Sequence, residues 1–379
     1  MTALAALSLL AWVWLATLHG GFWRNGERLS PARPRTAPPV VVVVPARDEA
    51  GLVAASIGSL LAQDYPGRFR VVLVDDGSTD GTAAIARALP GAERLIITGA
   101  ERLTVIAAPP RPPGWAGKLW AVQQGLRASD EALILLTDAD ITHHPAHLAT
   151  LVAKAEAGGL DMVSEMVALN CDSLAERALV PAFVYLFALL YPFAWVNDAR
   201  RTTAAAAGGT MLIRRQALDR IGGIAAIAGA LIDDVALARA VKRGGRIWLG
   251  HSLLARSIRP YPGFADIWRM VARSAYVQLR HSPVLLGLTT LGLGLVFLLS
   301  PLAALFAHGA ARAAGAAAWA LMAGSFLPSL RRFGLKLAWA PALPAIAGFY
   351  LAATIGSAID HHRGRGVVWK RRAYTGEPA

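Results

Sequence analysis

This chain of 379 residues has few charged residues and very little cysteine. Charged residues make up 17% and apolar residues 55%, whereas a soluble globular domain has about 25% and about 45–50%. The chain is therefore too apolar for an ordinary soluble protein, and we expect membrane segments joined to a water-facing domain. The single cysteine, Cys171, excludes an internal disulfide framework and a cysteine zinc site, and we expect a buried, inert thiol.

Two common phosphate-binding motifs are also absent. The chain has neither the Gly-x-Gly-x-x-Gly of dinucleotide-binding folds nor a P-loop lysine, which disfavours NAD-dependent and ATP-dependent enzymes. No zinc-finger or basic-zipper pattern accompanies the formal net charge of +13, so nucleic acid is not an expected partner. The basic residues instead flank long apolar blocks, as the positive-inside rule predicts for a membrane protein.

The apolar blocks predict a multi-pass protein of the cell inner membrane. Residues 1–23 carry no Lys, Arg, Asp or Glu, and the first positive charge is Arg24. Charge placed after the apolar block favours an uncleaved N-terminal transmembrane anchor, a basic linker over residues 24–37 and a cytoplasmic domain beyond it. Three more candidate spans make up a C-terminal membrane region over residues 283–359: Pro283–Ala307, Ala313–Leu330 and Leu337–Ile359.

The number of spans conflicts with the charge of the tail. One anchor with its N-terminus outside and three further crossings would leave the tail outside, yet residues 360–379 are strongly basic and should stay inside. Pro341 and Pro344 favour a broken or re-entrant last segment, which would return the tail to the cytoplasm. A further apolar stretch, residues 178–196, is expected either to lie in the membrane interface or to be a buried core helix.

Strand and helix patterns alternate over the water-facing region, which we place at residues 38–255. Val40–Val44 is an unbroken β-branched run, typical of a strand buried on both faces. This alternation predicts an α/β fold in which helices flank a mostly parallel sheet, followed by a basic amphipathic juxtamembrane segment over residues 256–282. The other predicted strands are 69–74, 103–107, 132–136 and 162–169, and the predicted helices are 49–62, 80–89, 118–128 and 145–157.

Polar strings follow four of the predicted strands, where ligands bind to sheets of this kind. The strings are Pro45–Glu49, Asp75–Thr82, Arg111–Lys118 and Thr137–Asp140. Clustered carboxylates raise one another's pKa unless a cation neutralises them, and ligand sets made only of oxygen suit Mg²⁺ or Mn²⁺. Asp138 and Asp140 lie two residues apart and can face one site, so we expect a divalent metal there.

Three histidines follow this acidic pair closely: His143, His144 and His147. Adjacent histidines are poorly placed for tetrahedral zinc, which needs its ligands on a common face. We therefore expect them on a loop and helix surface, with His143 or His144 at most lining the site.

Taken in order, these strings resemble the motifs of the inverting family-two glycosyltransferases with the GT-A fold, from about Val40 to Arg280. Pro45–Glu49 and Val74–Thr82 resemble the nucleotide-binding strings, and Asp138–Asp140 resembles the Asp-x-Asp motif that holds the metal and the sugar nucleotide. Ala207–Ile213 resembles the acceptor-side segment. Asp233-Asp234 resembles the Glu-Asp motif whose second acid is the catalytic base, although Asp replaces Glu at the first position.

The resemblance implies a role for each matching residue. Asp234, beside Asp233, would take the proton of the acceptor hydroxyl, as an inverting transfer requires, although both acids could instead be caps of the helix that follows. Asp140, with Asp138, would bind the metal. The residues expected to bind the nucleotide-sugar are Pro45, Arg47, Asp48, Glu49, Asp76, Lys118, Asp138, Arg273 and Arg280, and those expected at the acceptor or in a lid are Trp115, Gly209 and Thr210.

Some of these residues have plainer interpretations. Lys118 could be a solvated lysine of a first helical turn rather than a phosphate contact. Trp120 could be a core residue rather than part of a lid. Arg273 and Arg280 are expected to contact a diphosphate, but juxtamembrane positive charge would also explain such residues.

The membrane arrangement narrows the resemblance to a subgroup. The anchor, the string Gly114–Trp120 and the tail string Trp369–Arg372 are similar to the hopanoid-associated glycosyltransferases and to the ceramide glucosyltransferase type. This implies a nucleotide-sugar donor, expected to be UDP-linked, and a membrane-lipid acceptor such as a hopanoid. Gln278–His281 lacks the full Gln-x-x-Arg-Trp of processive polysaccharide synthases, which leaves that activity as an alternative. A non-catalytic membrane scaffold that keeps the fold is the other.

Overall fold

The computed structural model describes residues 1–24, 26–90 and 102–364, together with the backbone of 367–369 and 372–374. The chain divides into two compact units. Glu27–Asn170 and Trp195–Pro260 form what we call the sheet unit, and Met1–Gly26, Cys171–Ala194 and Tyr261–Ala379 form what we call the helical unit.

Helices and strands alternate over much of the described chain. The α-helices are α1 (Thr2–Thr17), α2 (Val53–Leu61), α3 (Thr82–Arg87), α4 (Gly117–Arg127), α5 (His147–Gly158), α6 (Leu174–Leu190), α7 (Phe193–Asn197), α8 (Arg215–Arg220), α9 (Asp233–Lys242), α10 (Phe264–Gln278), α11 (Pro283–Leu293), α12 (Leu299–Phe306), α13 (Gly309–Arg332) and α14 (Leu343–His362). The strands are β1 (Val40–Ala46), β2 (Phe69–Asp75), β3 (Leu103–Ala107), β4 (Leu133–Thr137), β5 (Ile141–His143), β6 (Met162–Ala168), β7 (Thr210–Arg214), β8 (Ile247–Ser257), β9 (Val367–Trp369) and β10 (Arg372–Tyr374). Short 3₁₀ turns cover Phe22–Arg24, Ile224–Ile227 and Leu337–Ala342, and a π-helical turn, Gly294–Leu298, joins α11 to α12.

One sheet forms the centre of the sheet unit, with the strand order β3-β2-β1-β4-β7-β6-β8-β5. Strands β3, β2, β1 and β4 run parallel, whereas β7 runs antiparallel to both β4 and β6, and β5 antiparallel to β8. The α/β fold class is confirmed, and five predicted strands are present within a few residues of their expected bounds. The sequence patterns do not predict strands β5, β7 and β8. β5 has three residues and β7 five, too few to show a period, and Gly250 and Ser252 interrupt the apolar pattern of β8.

The strand register brings the predicted polar strings to one edge of the sheet. Val40 of β1 pairs with Phe69 of β2 and with Leu133 of β4, so the three strands end close together. Every residue of β1 is buried, as expected for a β-branched strand covered on both faces. The strings that follow β1, β2 and β4 therefore meet at the carboxyl edge.

Apolar helices make up most of the helical unit. The segments Pro283–Phe306, Gly309–Arg332 and Leu337–His362 are long and apolar enough to cross a membrane. Helix α1, with 16 residues, is shorter than the predicted anchor, and it would be about 24 Å long against about 30 Å of hydrocarbon. Helix α1 contacts the rest of this unit through Trp12, whose Nε1 donates to the Val296 carbonyl at 2.7 Å.

The apolar stretch at residues 178–196 falls in α6 and α7. Tyr185 of α6 lies 2.7 Å from Ser325 Oγ of α13, and Tyr350 of α14 donates to the Leu179 carbonyl at 2.9 Å. Because these contacts hold α6 among other apolar helices, they favour the buried-helix interpretation over an interfacial one.

The prediction of a buried, inert thiol at Cys171 is met only in part. Cys171 is half-buried and lines a cavity of about 480 Å³ with Arg177 and Lys336. Burial raises the pKa of that thiol to about 11, which keeps it unreactive.

Helices α12 and α13 form an antiparallel hairpin. Only residues 307 and 308 separate them, and Ala5 of α1 packs against Ala303 and Ala311 near that turn. Trp12, two turns further along α1, reaches Val296, so α1 runs antiparallel to α12 and alongside α13. The start of Pro283–Phe306 and the end of Gly309–Arg332 therefore lie at the same end of the hairpin.

The last apolar segment is broken, as Pro341 and Pro344 predict. A 3₁₀ turn over Leu337–Ala342 precedes α14, and four residues separate the segment from the end of the hairpin. It finishes at the same end of the hairpin, because His361 stacks on His281 with ring centres 4.3 Å apart, two residues before Pro283. Both ends of Leu337–His362 thus lie at one level, which favours a re-entrant segment over a full crossing.

This geometry predicts which residues share a side of the membrane. In a Cys171→Ser background, a cysteine at position 363 should react with an impermeant maleimide from the same side as one at position 282. A cysteine at position 308, in the turn of the hairpin, should react only from the opposite side. Labelling of oriented vesicles before and after permeabilisation measures this. A cysteine at 363 that labels together with 308 would mean that the last segment crosses.

Candidate active site

One ammonium group joins two acidic parts of the sheet unit. Lys118 Nζ lies 2.9 Å from Asp138 Oδ1 and 3.0 Å from Asp233 Oδ2. Lys118 is in the first turn of α4, Asp138 directly follows β4, and Asp233 begins α9. These groups line a narrow cavity with Pro45 and Gly208, so the structure brings residues from three of the four polar strings together with Asp233.

The two acids at the start of α9 do not act as simple caps. The residue before the helix is Ile232, no side chain caps it, and Asp233 is already helical and bound to Lys118. Asp234 Oδ1 accepts from the Val235 N–H at 2.7 Å, and Asp234 Oδ2 accepts from the Gly208 N–H at 2.9 Å. Acids in the first helical turn are also favoured by the helix dipole.

The pKa of Asp234 lies near neutral pH. Burial, and next the charge of Asp233, raise the pKa of Asp234 to about 7, while Lys118 and the N–H groups of Val235 and Gly208 act in the lowering direction. A carboxyl group that titrates near neutral pH can accept a proton from a bound hydroxyl. The geometry therefore gives Asp234 the properties of a general base.

Asp140 is paired with a cation that the sequence reasoning missed. Arg259, just beyond β8, donates from Nε to Asp140 Oδ2 and from Nη2 to Glu49 Oε1, both at 2.6 Å. In the sequence, Arg259 stands out only as a basic residue just after β8, and the sequence patterns do not predict that strand. The guanidinium fixes Asp140 relative to the loop that follows β1.

The residues present fit a divalent metal in part. Burial and the charge of Asp140 raise the pKa of Asp138, although Lys118 opposes this, and a bound cation would relieve the repulsion. Their oxygens suit Mg²⁺ or Mn²⁺. Over the described ranges, no group of three or more His, Cys, Asp and Glu side chains could hold a metal, so phosphate oxygens would have to complete the coordination of an ion at Asp138 and Asp140.

The loops after β1 and β2 are linked to each other. Asp48 has a left-handed backbone at φ 48°, and its Oδ1 accepts from the Thr79 N–H at 2.9 Å. Arg47 Nη1 lies 3.7 Å from Asp76 Oδ2 and also donates to the Asp76 carbonyl. Glu49 is bound by Arg259. The nucleotide-binding roles of these residues stay predictions, and what the structure adds is that Asp76 is buried and ion-paired.

The two tryptophans near Lys118, Trp115 and Trp120, differ in burial. Trp120 is buried, and its Nε1 donates to the Pro109 carbonyl at 2.8 Å, so it is a core residue. Trp115 is half-buried and packs edge-on against Trp120 at 5.2 Å, which leaves part of it for a lid.

The segment before β7 reaches the cavity through Gly208, which the sequence reasoning did not single out. Thr210 is wholly buried, and Gly209 packs against the side chain of Val167. Their acceptor or lid roles remain predictions. Arg273 in α10 and Arg280 after it belong to the helical unit, so their predicted contact with a diphosphate also remains a prediction.

The surface expectation for the histidines is wrong for two of them. His143 is 4% exposed and His147 is fully buried, because each finds a buried polar partner. His144 lies in the turn before α5, and its carbonyl accepts from Gln63 Nε2 at 3.0 Å. None of the three lines the cavity.

Residues 41–222 match the family described as glycosyl transferase family 2. The dodecaprenyl-phosphate galacturonate synthase of Rhizobium johnstonii is 30% identical over 124 residues, which are 32% of this chain and 34% of that protein. The succinoglycan biosynthesis protein ExoU of Rhizobium meliloti is 29% identical over 222 residues, which are 56% of this chain and 60% of that protein. The matched stretches thus span 34% and 60% of these relatives.

A solved structure resembles nearly the whole chain. The mannosyltransferase PcManGT from Pyrobaculum calidifontis, in complex with GDP-Man and Mn²⁺, aligns with a TM-score of 0.56 at 21% identity. The alignment covers 94% of this chain and 98% of that one, and at this identity it establishes the fold alone. The sheet of this chain is therefore GT-A-like, and its residues 41–222 are similar to the glycosyl transferase family 2.

Proposed function

We propose that this protein is a membrane-bound, inverting glycosyltransferase. It moves a sugar from a nucleotide-sugar, expected to be UDP-linked, to a hydroxyl group of a membrane lipid such as a hopanoid. The observation that carries the proposal is Asp234, a carboxyl with a pKa of about 7 held beside Lys118 and the cavity at Asp138. Asp234 lies beyond the residues matched to the family, so its role rests on this geometry.

The chemistry follows from where the charges lie. The acceptor oxygen attacks the anomeric carbon from the face opposite the nucleotide, and Asp234 takes the proton of that hydroxyl. The bond from the anomeric carbon to the diphosphate breaks, and its electron pair stays on the phosphate oxygen. Lys118 faces the same cavity, so its ammonium would stabilise the negative charge that develops on the diphosphate.

A metal would add to this stabilisation. Asp138 and Asp140 are the residues that would hold Mg²⁺ or Mn²⁺, which when bound supplies Lewis-acid stabilisation of the leaving diphosphate. The Mn²⁺ in the PcManGT complex supports the choice of a divalent ion.

A lipid acceptor fits the helical unit. Its three long apolar segments favour association with a membrane, where an acceptor with an apolar tail would be found. The name of the Rhizobium johnstonii relative refers to a polyprenyl phosphate, which supports a lipid-linked acceptor class. We place the reaction at the cytoplasmic face of the inner membrane, as the positive-inside distribution of charge favours.

A processive polysaccharide synthase is the second candidate. The Rhizobium meliloti relative is named for the biosynthesis of a polysaccharide. Against it, the sequence at 278–281 ends in His rather than Trp, and we therefore favour a single transfer. The arrangement of Lys118, Asp138 and Asp234 argues against a non-catalytic scaffold, because burying these charges without use would cost free energy.

Replacing the base tests the proposal directly. Asp234→Asn should lower kcat by about 10²–10⁴-fold and leave the KM of the donor nearly unchanged, because only proton removal is lost. Purified protein with labelled nucleotide-sugars and lipid extract, followed by mass spectrometry of the lipids, measures this. Asp219→Asn, at an exposed position of α8, is the matched control and should transfer normally. Normal turnover by Asp234→Asn would refute the mechanism.

The pH dependence provides a second test. Asp234 is ionised above its pKa, so the rate should rise as the pH rises through about 7. The Lys118 charge lowers the pKa of Asp234, and Lys118→Met should therefore move the midpoint to higher pH besides lowering the rate. Initial rates of sugar transfer measured across this pH range give the midpoint.

The control for this shift is Lys154→Met. Lys154 pairs with Glu27 elsewhere in the sheet unit, and its loss should leave the midpoint unchanged. An unchanged midpoint in Lys118→Met would mean that a group other than Asp234 controls the rate.

A further inference from the structure

A row of buried polar side chains runs beneath the carboxyl edge of the sheet. Thr137 Oγ1 donates to the Gly209 carbonyl at 2.7 Å and lies 3.2 Å from His143 Nε2. His143 Nδ1 lies 3.0 Å from His147 Nδ1, and His147 Nε2 lies 2.6 Å from Glu165 Oε1. All four side chains are at most 4% exposed. We call Thr137, His143, His147 and Glu165 the buried ladder.

The direction of each hydrogen bond in the ladder follows from its outer end. The Gly209 carbonyl can only accept, so the one hydroxyl hydrogen of Thr137 is used there. His143 Nε2 must then carry a hydrogen and donate it to Thr137 Oγ1. Burial and the neighbouring His147 hold the pKa of His143 well below its usual value, so this ring is neutral and its Nδ1 accepts from His147.

The inner end completes the proton count. His147 donates from Nδ1, and one more hydrogen lies between His147 Nε2 and Glu165. The pair is therefore either imidazolium with carboxylate or imidazole with carboxylic acid, and the ladder has no net charge in both cases. Every bond of the ladder therefore has a donor and an acceptor, and only the last hydrogen can belong to either His147 or Glu165.

The ladder ends between the two halves of the proposed active site. Thr137 directly precedes Asp138, which contacts Lys118. Its partner Gly209 directly follows Gly208, whose N–H donates to Asp234. The Thr137–Gly209 bond therefore joins the strand end that presents Asp138 to the segment that holds Asp234.

We propose that His143, His147 and Glu165 are positioning residues for sugar transfer, which keep Thr137 bound to Gly209 and so fix the spacing between Asp138 and Asp234. This rests on the proposed function. Buried polar groups cost free energy unless they are bonded, and an apolar core would hold the strand at lower cost. The second oxygen of Glu165 is buried without a partner among the described residues, a cost that packing alone does not explain. In the described part of the chain these residues do not form a metal site.

Two pairs of variants separate positioning from simple stability. Thr137→Val removes the hydroxyl while keeping the shape, and Thr137→Ser restores it. Glu165→Leu ends the ladder at His147, whereas the amide of Glu165→Gln can donate to His147 Nε2 and preserve every other bond. Thr150→Val is the matched control, since Thr150 is a buried threonine of α5 whose hydroxyl bonds the Ala146 carbonyl at 2.7 Å.

We expect Thr137→Val and Glu165→Leu to lower kcat by about tenfold to hundredfold with little change in the KM of the donor, because misplaced groups lose rate more than binding. Thr137→Ser and Glu165→Gln should recover most of the rate. Thr150→Val should lower the melting temperature but leave kcat unchanged. Equal kcat in Thr137→Val and Thr137→Ser would overturn the proposal, as would a loss of rate in Thr150→Val as large as in Thr137→Val.

A measurement without substrate separates this proposal from the proposed function. Protein with ¹⁵N-labelled histidine has nine imidazoles, and one of them should stay neutral with its hydrogen on Nε2 from about pH 8 down to about pH 6. That signal should disappear in His143→Gln. If it is present and the wild type transfers no sugar, the proposed function fails while the ladder stands. If it is absent, the ladder and the positioning role fail whatever the activity.

Discussion

The contact of Lys118 with Asp138 and Asp233 is the interaction on which the rest of the site depends. It brings one cation to acids that come from separate parts of the chain, at the end of β4 and the start of α9. Without it, the cavity would hold several like charges at short range, and mutual repulsion would favour protonation of Asp138 and Asp234. The sheet supplies the other condition, because the register of β1, β2 and β4 ends these strands together.

Local sequence patterns are enough to predict much of the sheet and part of the site. Val40–Val44 and the other parallel strands have apolar runs that stand out from their neighbours, and Asp138 and Asp140 follow such a run directly. The antiparallel strands do not stand out in this way. Strand β7 is placed between β4 and β6 by pairing on both sides, and its five residues carry little pattern of their own.

Partners far apart in the chain explain what the sequence does not predict. Arg259 lies 119 positions after Asp140, and no spacing rule connects the two. His143 and His147 resemble surface residues because histidine is often exposed, and they are buried because Glu165 and Thr137 complete their hydrogen bonds. Gly208 shows no side-chain chemistry at all, yet its N–H orients Asp234. Such residues become visible only when the strands that carry them are placed side by side.

The His281–His361 stack has a consequence for biogenesis. A re-entrant Leu337–His362, with both ends at one level, would spare the cationic residues that follow it in the sequence from translocation through hydrocarbon. Each buried arginine or lysine would cost about 2.5–3.5 kcal/mol at the bilayer centre on insertion scales. In that arrangement, an apolar stretch of spanning length with two prolines near its start would end without export of the charges that follow it.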